Sequence, residues 1–174
     1  MSDMATTLAA RKAVSEQIDE LIRAASRNVA KLQGAEEMRE SQIRNLVNLA
    51  ATSRSVEEVT NFIRYQIGRD TNGKTWAHNG FGKAVIADIE TGQVKEAVKA
   101  VLRDVPGADL VAVRSELIAL YLGYLNRCFI YASKANDWTS FVSGASGGVS
   151  NGWAVFSMVC WISPSFAFFL PMRR

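Results

Sequence analysis

Side chains able to do bond-breaking chemistry are few in this sequence, and their spacing fits none of the common catalytic arrangements. His78 is the single histidine, and the two cysteines, Cys128 and Cys160, stand far apart in apolar surroundings. No serine lies in a GxSxG frame and neither cysteine has an obvious base, so a nucleophile–histidine system has little support. The carboxylates alternate with basic residues along helical faces, as in Glu40 and Arg44, and no ExxH or DxD cluster points to a metal centre. Gly68, Gly73, Gly80 and Gly82 make a glycine-containing loop, but no strand precedes it and no GKS or GKT follows it. The expectation is a chain that is not an enzyme and needs neither metal nor cofactor. His78 then reads as a solvated loop side chain. The cysteines read as reduced packing residues of a cytoplasmic protein.

What remains is binding chemistry, carried by arginine and lysine. The formal charge is +3, yet residues 1–139 hold 18 basic and 17 acidic side chains, and Arg173 and Arg174 supply the rest. Global charge therefore does not point to nucleic acid. The distribution is more informative: residues 39–83 carry seven cations against four acids, whereas residues 84–118 carry four against six.

Two stretches in the basic middle stand out. Ser41-Gln42-Ile43-Arg44 opens an apolar helix, and Tyr65-Gln66-Ile67-Gly68-Arg69-Asp70 closes the next. Arg44 projects from the polar side of a helix that buries Ile43 and Val47. Arg69 follows a glycine that frees the chain from helical geometry, and Arg64 lies one turn before that glycine. Guanidinium groups so placed offer planar, multi-donor faces to phosphates. Taken alone they are better explained as solubilising residues and surface ion pairs.

The elements that must hold these residues are helices. Val14, Ile18, Leu21, Ala25, Val29 and Leu32 share one stripe, opposite a solvated face of Asp19, Arg23, Arg27 and Lys31, and Gly34 is a plausible stop. A second helix is predicted over 36–52, with Ile43, Leu46, Val47 and Ala50 inward. Ser55 followed by Glu58 is a capping-box signature for a third, whose apolar face is Val59, Phe62, Ile63 and Ile67 and which Gly68 is placed to end. Asn72-Gly73 and Asn79-Gly80 mark residues 69–80 as a loop. The helical pattern resumes at Phe81 with Val85, Ile86 and Ile89, is interrupted at Thr91-Gly92, and continues through Ala97, Val98, Val101 and Leu102 to Pro106-Gly107. From Asp109 to about Asp137 runs the longest helix, with Val113, Leu117, Leu120, Tyr121, Tyr124, Cys128 and Tyr131 on one side. With no period-2 strand pattern, the fold class is all-α: a compact bundle of five to six helices over residues 1–139.

Residues 140–174 have a different composition, with no acid and no lysine. Ser140 to Gly152 resembles a flexible linker, and Trp153 to Leu170 is an uncharged apolar stretch at the lower edge of membrane-spanning length. Three readings compete: a membrane anchor, a segment that packs on the bundle or a partner, and a non-native extension. The N-terminus lacks the basic-then-apolar order of a secretory signal.

The order of motifs is what gives the basic residues a context. An SQIR helix start, a YQIGRD helix end, and a tyrosine-rich terminal helix ending in Tyr131-Ala132-Ser133-Lys134 together resemble the small subunit of type III CRISPR–Cas effector complexes, closest to the Csm-type version. The resemblance covers residues 38–137. It implies a non-catalytic five-helix bundle that stacks in several copies along guide RNA and target RNA, beside the backbone and large subunits. Carried onto the matching motifs, its RNA-facing residues are Arg44, Arg69 and Lys134. Arg39, Arg64 and Arg127 join them on position and charge alone. The sequence departs from the family pattern where Ala132-Ser133-Lys134 replaces a histidine–lysine pair, in a longer loop around Trp76 and His78, and in the tail.

Contacts to a guide-defined duplex must ignore base sequence, since pairing already supplies specificity. Arginine and lysine on the backbone do this, with avidity along the filament adding strength to weak single copies. Tyr121, Tyr124 and Tyr131 have the chemistry to stack on bases, but their register coincides with the apolar stripe and favours core packing. The competing function is a helical protein–protein adaptor held at a membrane by its C-terminal segment, although a membrane is the less favoured partner.

Overall fold

The computed structural model describes residues 2–140, and the apolar tail lies outside them except for Ser140. The described chain is all-helical: α1 (Ser2–Glu16), α2 (Ile18–Ala30), α3 (Glu40–Thr52), α4 (Val56–Arg69), α5 (Phe81–Glu90), α6 (Gln93–Asp104) and α7 (Leu110–Ala135), with a single 3₁₀ turn at His78–Gly80. Helices α1 and α2 follow one another across Gln17, so they form one broken rod in a six-rod bundle. At the break, Gln17 N–H donates to the Val14 carbonyl at 3.0 Å, a three-residue step in place of the α-helical four.

Helix α7 is the axis of the fold. At 26 residues it is about 39 Å long, and α1, α2, α3 and α6 all pack on it. Leu117, Tyr121, Leu122, Leu125 and Ala132 are completely buried along it, facing Leu21, Ala25 and Val29 of α2 and Ile43 and Leu46 of α3 in one core. Each such aliphatic side chain contributes about 1.5–3 kcal/mol through removal from water. The predicted apolar stripes hold for the most part. Ile18, Val47, Phe62, Ile67, Ile86, Leu102 and Leu120 are only half-buried and form the border of the core.

Capping residues set several helix boundaries. Ser55 Oγ accepts the Glu58 N–H at 3.2 Å, as the sequence predicts, but the Glu58 carboxylate takes the Ser53 hydroxyl at 2.5 Å instead of closing the box on Ser55. Asp109 caps α7 by accepting from Val111 and Ala112 N–H at 2.8 and 3.3 Å. Asn136 ends α7 in the left-handed region at φ 51°. Gly68, read from sequence as the end of α4, is instead inside it. The helix runs on to Arg69 because Asp70 N–H still reaches the carbonyls of Gln66 and Ile67, both at 3.2 Å. On the exposed face of α2, Arg23 pairs with Glu20, one turn back.

The core contains one polar cluster. Asn28 Nδ2 donates to Asp88 Oδ2 at 2.7 Å and to Tyr121 Oη at 2.8 Å, and the Tyr121 hydroxyl donates to the same Asp88 oxygen at 3.1 Å. This triangle ties α2, α5 and α7 at one point. Burial, reinforced by the nearby Asp88 carboxylate, holds the Tyr121 phenol well above its ordinary range, so it remains a donor. Cys128, also buried, has its thiol pushed up by desolvation and rests 3.5 Å from Ser26 Oγ, consistent with a packing role. Cys160 lies outside the described residues.

Two measurements check this account. Tyr121→Phe removes one hydroxyl and should lower unfolding free energy by about 1 kcal/mol, while Asp88→Ala removes the acceptor shared by Asn28 and Tyr121 and should cost about 2–3 kcal/mol, read from urea midpoints. Gly68→Ala is expected to stabilise the chain by about 0.5–1 kcal/mol, because the position is helical and an added Cβ meets nothing within 4 Å.

Candidate functional site

The two motif-bearing helices, α3 and α4, are joined by a three-residue turn, and the long loop after α4 brings their outer ends together. Asp70 organises that loop. Its carboxylate accepts N–H groups from Lys74 at 3.1 Å, Thr75 at 2.9 Å and Ala77 at 2.7 Å, gathering the chain into a knot beneath the end of α4. Burial pushes the Asp70 carboxyl up, but the donors from Ala77, Thr75 and Lys74 outweigh it and leave the group below the ordinary aspartate range. Trp76 is driven inward from this knot to 1% exposure, its ring 5.5 Å from that of Phe81 at the start of α5.

The loop is also fastened to the connection between α2 and α3. His78 Nε2 lies 2.9 Å from the Gln33 carbonyl and Nδ1 lies 3.3 Å from the Gly73 carbonyl. Asn79 Nδ2 donates to the Lys31 carbonyl at 3.0 Å, Asn72 Nδ2 donates to Glu37 at 3.1 Å, and Lys74 pairs with the same Glu37 at 3.1 Å. His78 is thus a structural latch, half-buried between two carbonyls, and not the solvated side chain expected from its turn-rich surroundings. A solvated reading fails because the Gln33 carbonyl, 45 residues away in sequence, becomes adjacent only after folding.

These fastenings bring the end of α4, where Arg69 sits, to the start of α3, where Arg39 precedes the first helical residue. Both arginines are exposed and neither has an ion-pair partner among the described residues. The Arg39 backbone N–H is held by Gln42 Oε1 at 2.8 Å, which fixes the helix start. The Arg69 guanidinium lies over the Tyr65 ring, 5.4 Å from its centroid, with the ring itself more than half exposed. Arg44, one turn into α3, is paired with Glu40 and is the most neutralised of the motif residues. Such an exposed i,i+4 pair is worth only about 0.3–0.5 kcal/mol, so the guanidinium exchanges partners readily.

The other proposed cations are dispersed. Arg64 is held by Glu90 of α5 at 2.6 Å and by Thr60 at 3.0 Å, on the flank where α4 meets α5. Arg127 covers the Tyr124 ring from 5.4 Å, and Lys134 is exposed in the last turn of α7, two turns further along. No contact ties either one to the Arg39–Arg69 end. Of the tyrosines, Tyr121 is fully buried, while Tyr124 and Tyr131 are half-buried on the rim of α7. The residues that sequence reasoning missed are Asp70, which it read only as part of a motif, and Lys83, which joins Arg64 on the α4–α5 flank. Among the described residues no group of three or more histidine, cysteine or acidic side chains is gathered as a metal site would require. No described helix is long and apolar enough to cross a membrane. No family model matches the chain, and no curated protein or solved structure matches it.

Because the Asp70 carboxyl is depressed in the folded chain, its stabilising effect is present above the ordinary aspartate range and is lost as pH falls through the lower folded value. Asp70→Asn is expected to abolish that acid-side component and to speed hydrogen exchange at the Thr75 and Ala77 amides at neutral pH. Retained protection at both amides would show that the loop is held without the carboxylate.

Proposed function

We propose that the chain is a non-catalytic small subunit of a type III CRISPR RNA-guided interference complex, contacting the backbone of guide–target RNA without reading its sequence. The observation that carries this reading is how the flanks of the SQIR and YQIGRD segments are tied. The segments are separated by 20 residues of sequence, yet Glu37, just before the first, contacts Asn72 and Lys74, just after the second. The all-helical bundle supports it as well, since the resemblance implies that architecture. So does the exposed chemistry at this end: two guanidinium groups with no ion-pair partner among the described residues, a third in an exchangeable surface pair, and an accessible tyrosine face. Arginine forks match phosphate oxygens bidentately, and a small net charge of +3 suits a subunit that binds weakly as a single copy and in repeated copies.

Arg44→Gln with Arg69→Gln tests this directly. Neutral replacements avoid placing a new carboxylate one turn from Glu40. Fluorescence anisotropy with a labelled RNA duplex should show affinity falling about tenfold and the log-salt slope shrinking by roughly one to two ions, with far-UV circular dichroism unchanged. Equal binding by the wild type and the double variant at moderate salt would remove these arginines from the interface.

A further inference from the structure

The flank where α4 meets α5 carries a shallow open groove of about 320 Å³, lined by Arg64, Ile67, Lys83 and Ile86. Its walls are fixed by an unusually close helix approach at Gly82. A Cβ at that position would fall 2.8 Å from two carbons of the Ile67 side chain and 2.9 Å from the Trp76 carbonyl, so only glycine lets Ile67 lie against the α5 backbone. Ile67 and Ile86 are therefore held as a firm, half-buried apolar floor. The two cations at the edge differ in state. Arg64 is held in place by Thr60 and Glu90, whereas Lys83 is exposed and has no ion-pair partner among the described residues.

We infer that this groove docks an acidic, amphipathic segment of a partner protein, with aliphatic side chains against Ile67 and Ile86 and a carboxylate paired to Lys83. The floor decides against RNA as the occupant. A sugar–phosphate backbone has nothing to fill an isoleucine-lined trough, and base stacking uses aromatic faces, which this groove lacks. The size suits the anchor side chains of a helix laid in a groove, the rim charge selects an acidic partner, and Arg64, already ordered, adds little entropy loss on binding. Arg64 consequently belongs to a protein contact separate from the Arg39–Arg69 end, and the inference stands whether or not that end binds RNA.

The test uses the full chain with ¹³C-labelled isoleucine methyl groups and follows Ile67 and Ile86 by NMR. The probe is a short helical peptide with a leucine stripe flanked by glutamates, and the controls are a scrambled peptide of equal composition and an RNA duplex. The expected result is saturable movement of both methyl signals with the helical peptide, weaker by about fivefold or more with the scrambled one, and absent with RNA. Lys83→Glu, at an exposed position, should weaken peptide binding about tenfold while leaving the spectrum folded, and Ile86→Ser should do the same through the floor. Movement of these methyls by RNA in place of the peptide, equal response to the scrambled peptide, or no response to any probe would overturn the assignment.

Discussion

Helix α7 can sit at the centre only if most of its circumference is apolar, and that requirement governs the rest of the bundle. Leu117, Ile118, Tyr121, Leu122, Leu125, Cys128, Phe129 and Ala132 are all buried along it, a stripe too wide for one partner helix. Four other helices consequently lie against it. Charge is left to the surface of the bundle, where the cations with a proposed binding role are all exposed. The Asn28–Asp88–Tyr121 triangle then fixes how α5 is set against this axis, because a polar cluster in an apolar core is tolerated only in the arrangement that satisfies each member. Setting α5 in turn positions the α4–α5 flank and the loop that leads into it.

The loop between α4 and α5 supplies the second constraint. It turns two helices that are neighbours in sequence into two helices whose far ends meet. Asp70 draws in the backbone of Lys74, Thr75 and Ala77, Trp76 anchors the loop in the core, and His78, Asn79, Asn72 and Lys74 fasten it to the segment before α3.

The helices were legible in the sequence wherever the signal is local. Ser55 with Glu58, Thr91-Gly92, Pro106-Gly107 and Asp109 each mark a boundary within a residue or two of where it falls, since capping and chain-breaking depend on neighbours in sequence. The break at Gln17 was not legible: the apolar period runs through it from Val14 to Leu21, and no glycine or proline marks the spot. Gly68 misled because glycine ends helices through a left-handed conformation, which the chain does not adopt there. Most of all, the fastenings of His78 to Gln33, Asn79 to Lys31 and Asn72 to Glu37 join residues 35 to 48 apart in sequence, and no local pattern encodes them. The same limit applies to the binding surface. Arg44 and Arg69 stand out through their motifs, but the pairing of Arg64 with Glu90 across 26 residues, and its sharing of a groove with Lys83, come only from the packing of α4 on α5.

The role proposed for the chain is that of an RNA-binding structural subunit. The most direct measurement is a tagged pull-down of the full chain from its native host, with sequencing of bound RNA and identification of the co-purifying proteins. The account predicts guide RNAs sharing a common tag sequence at one end, recovered together with larger CRISPR subunits. A preparation free of RNA, or one recovered only from membranes, would contradict it.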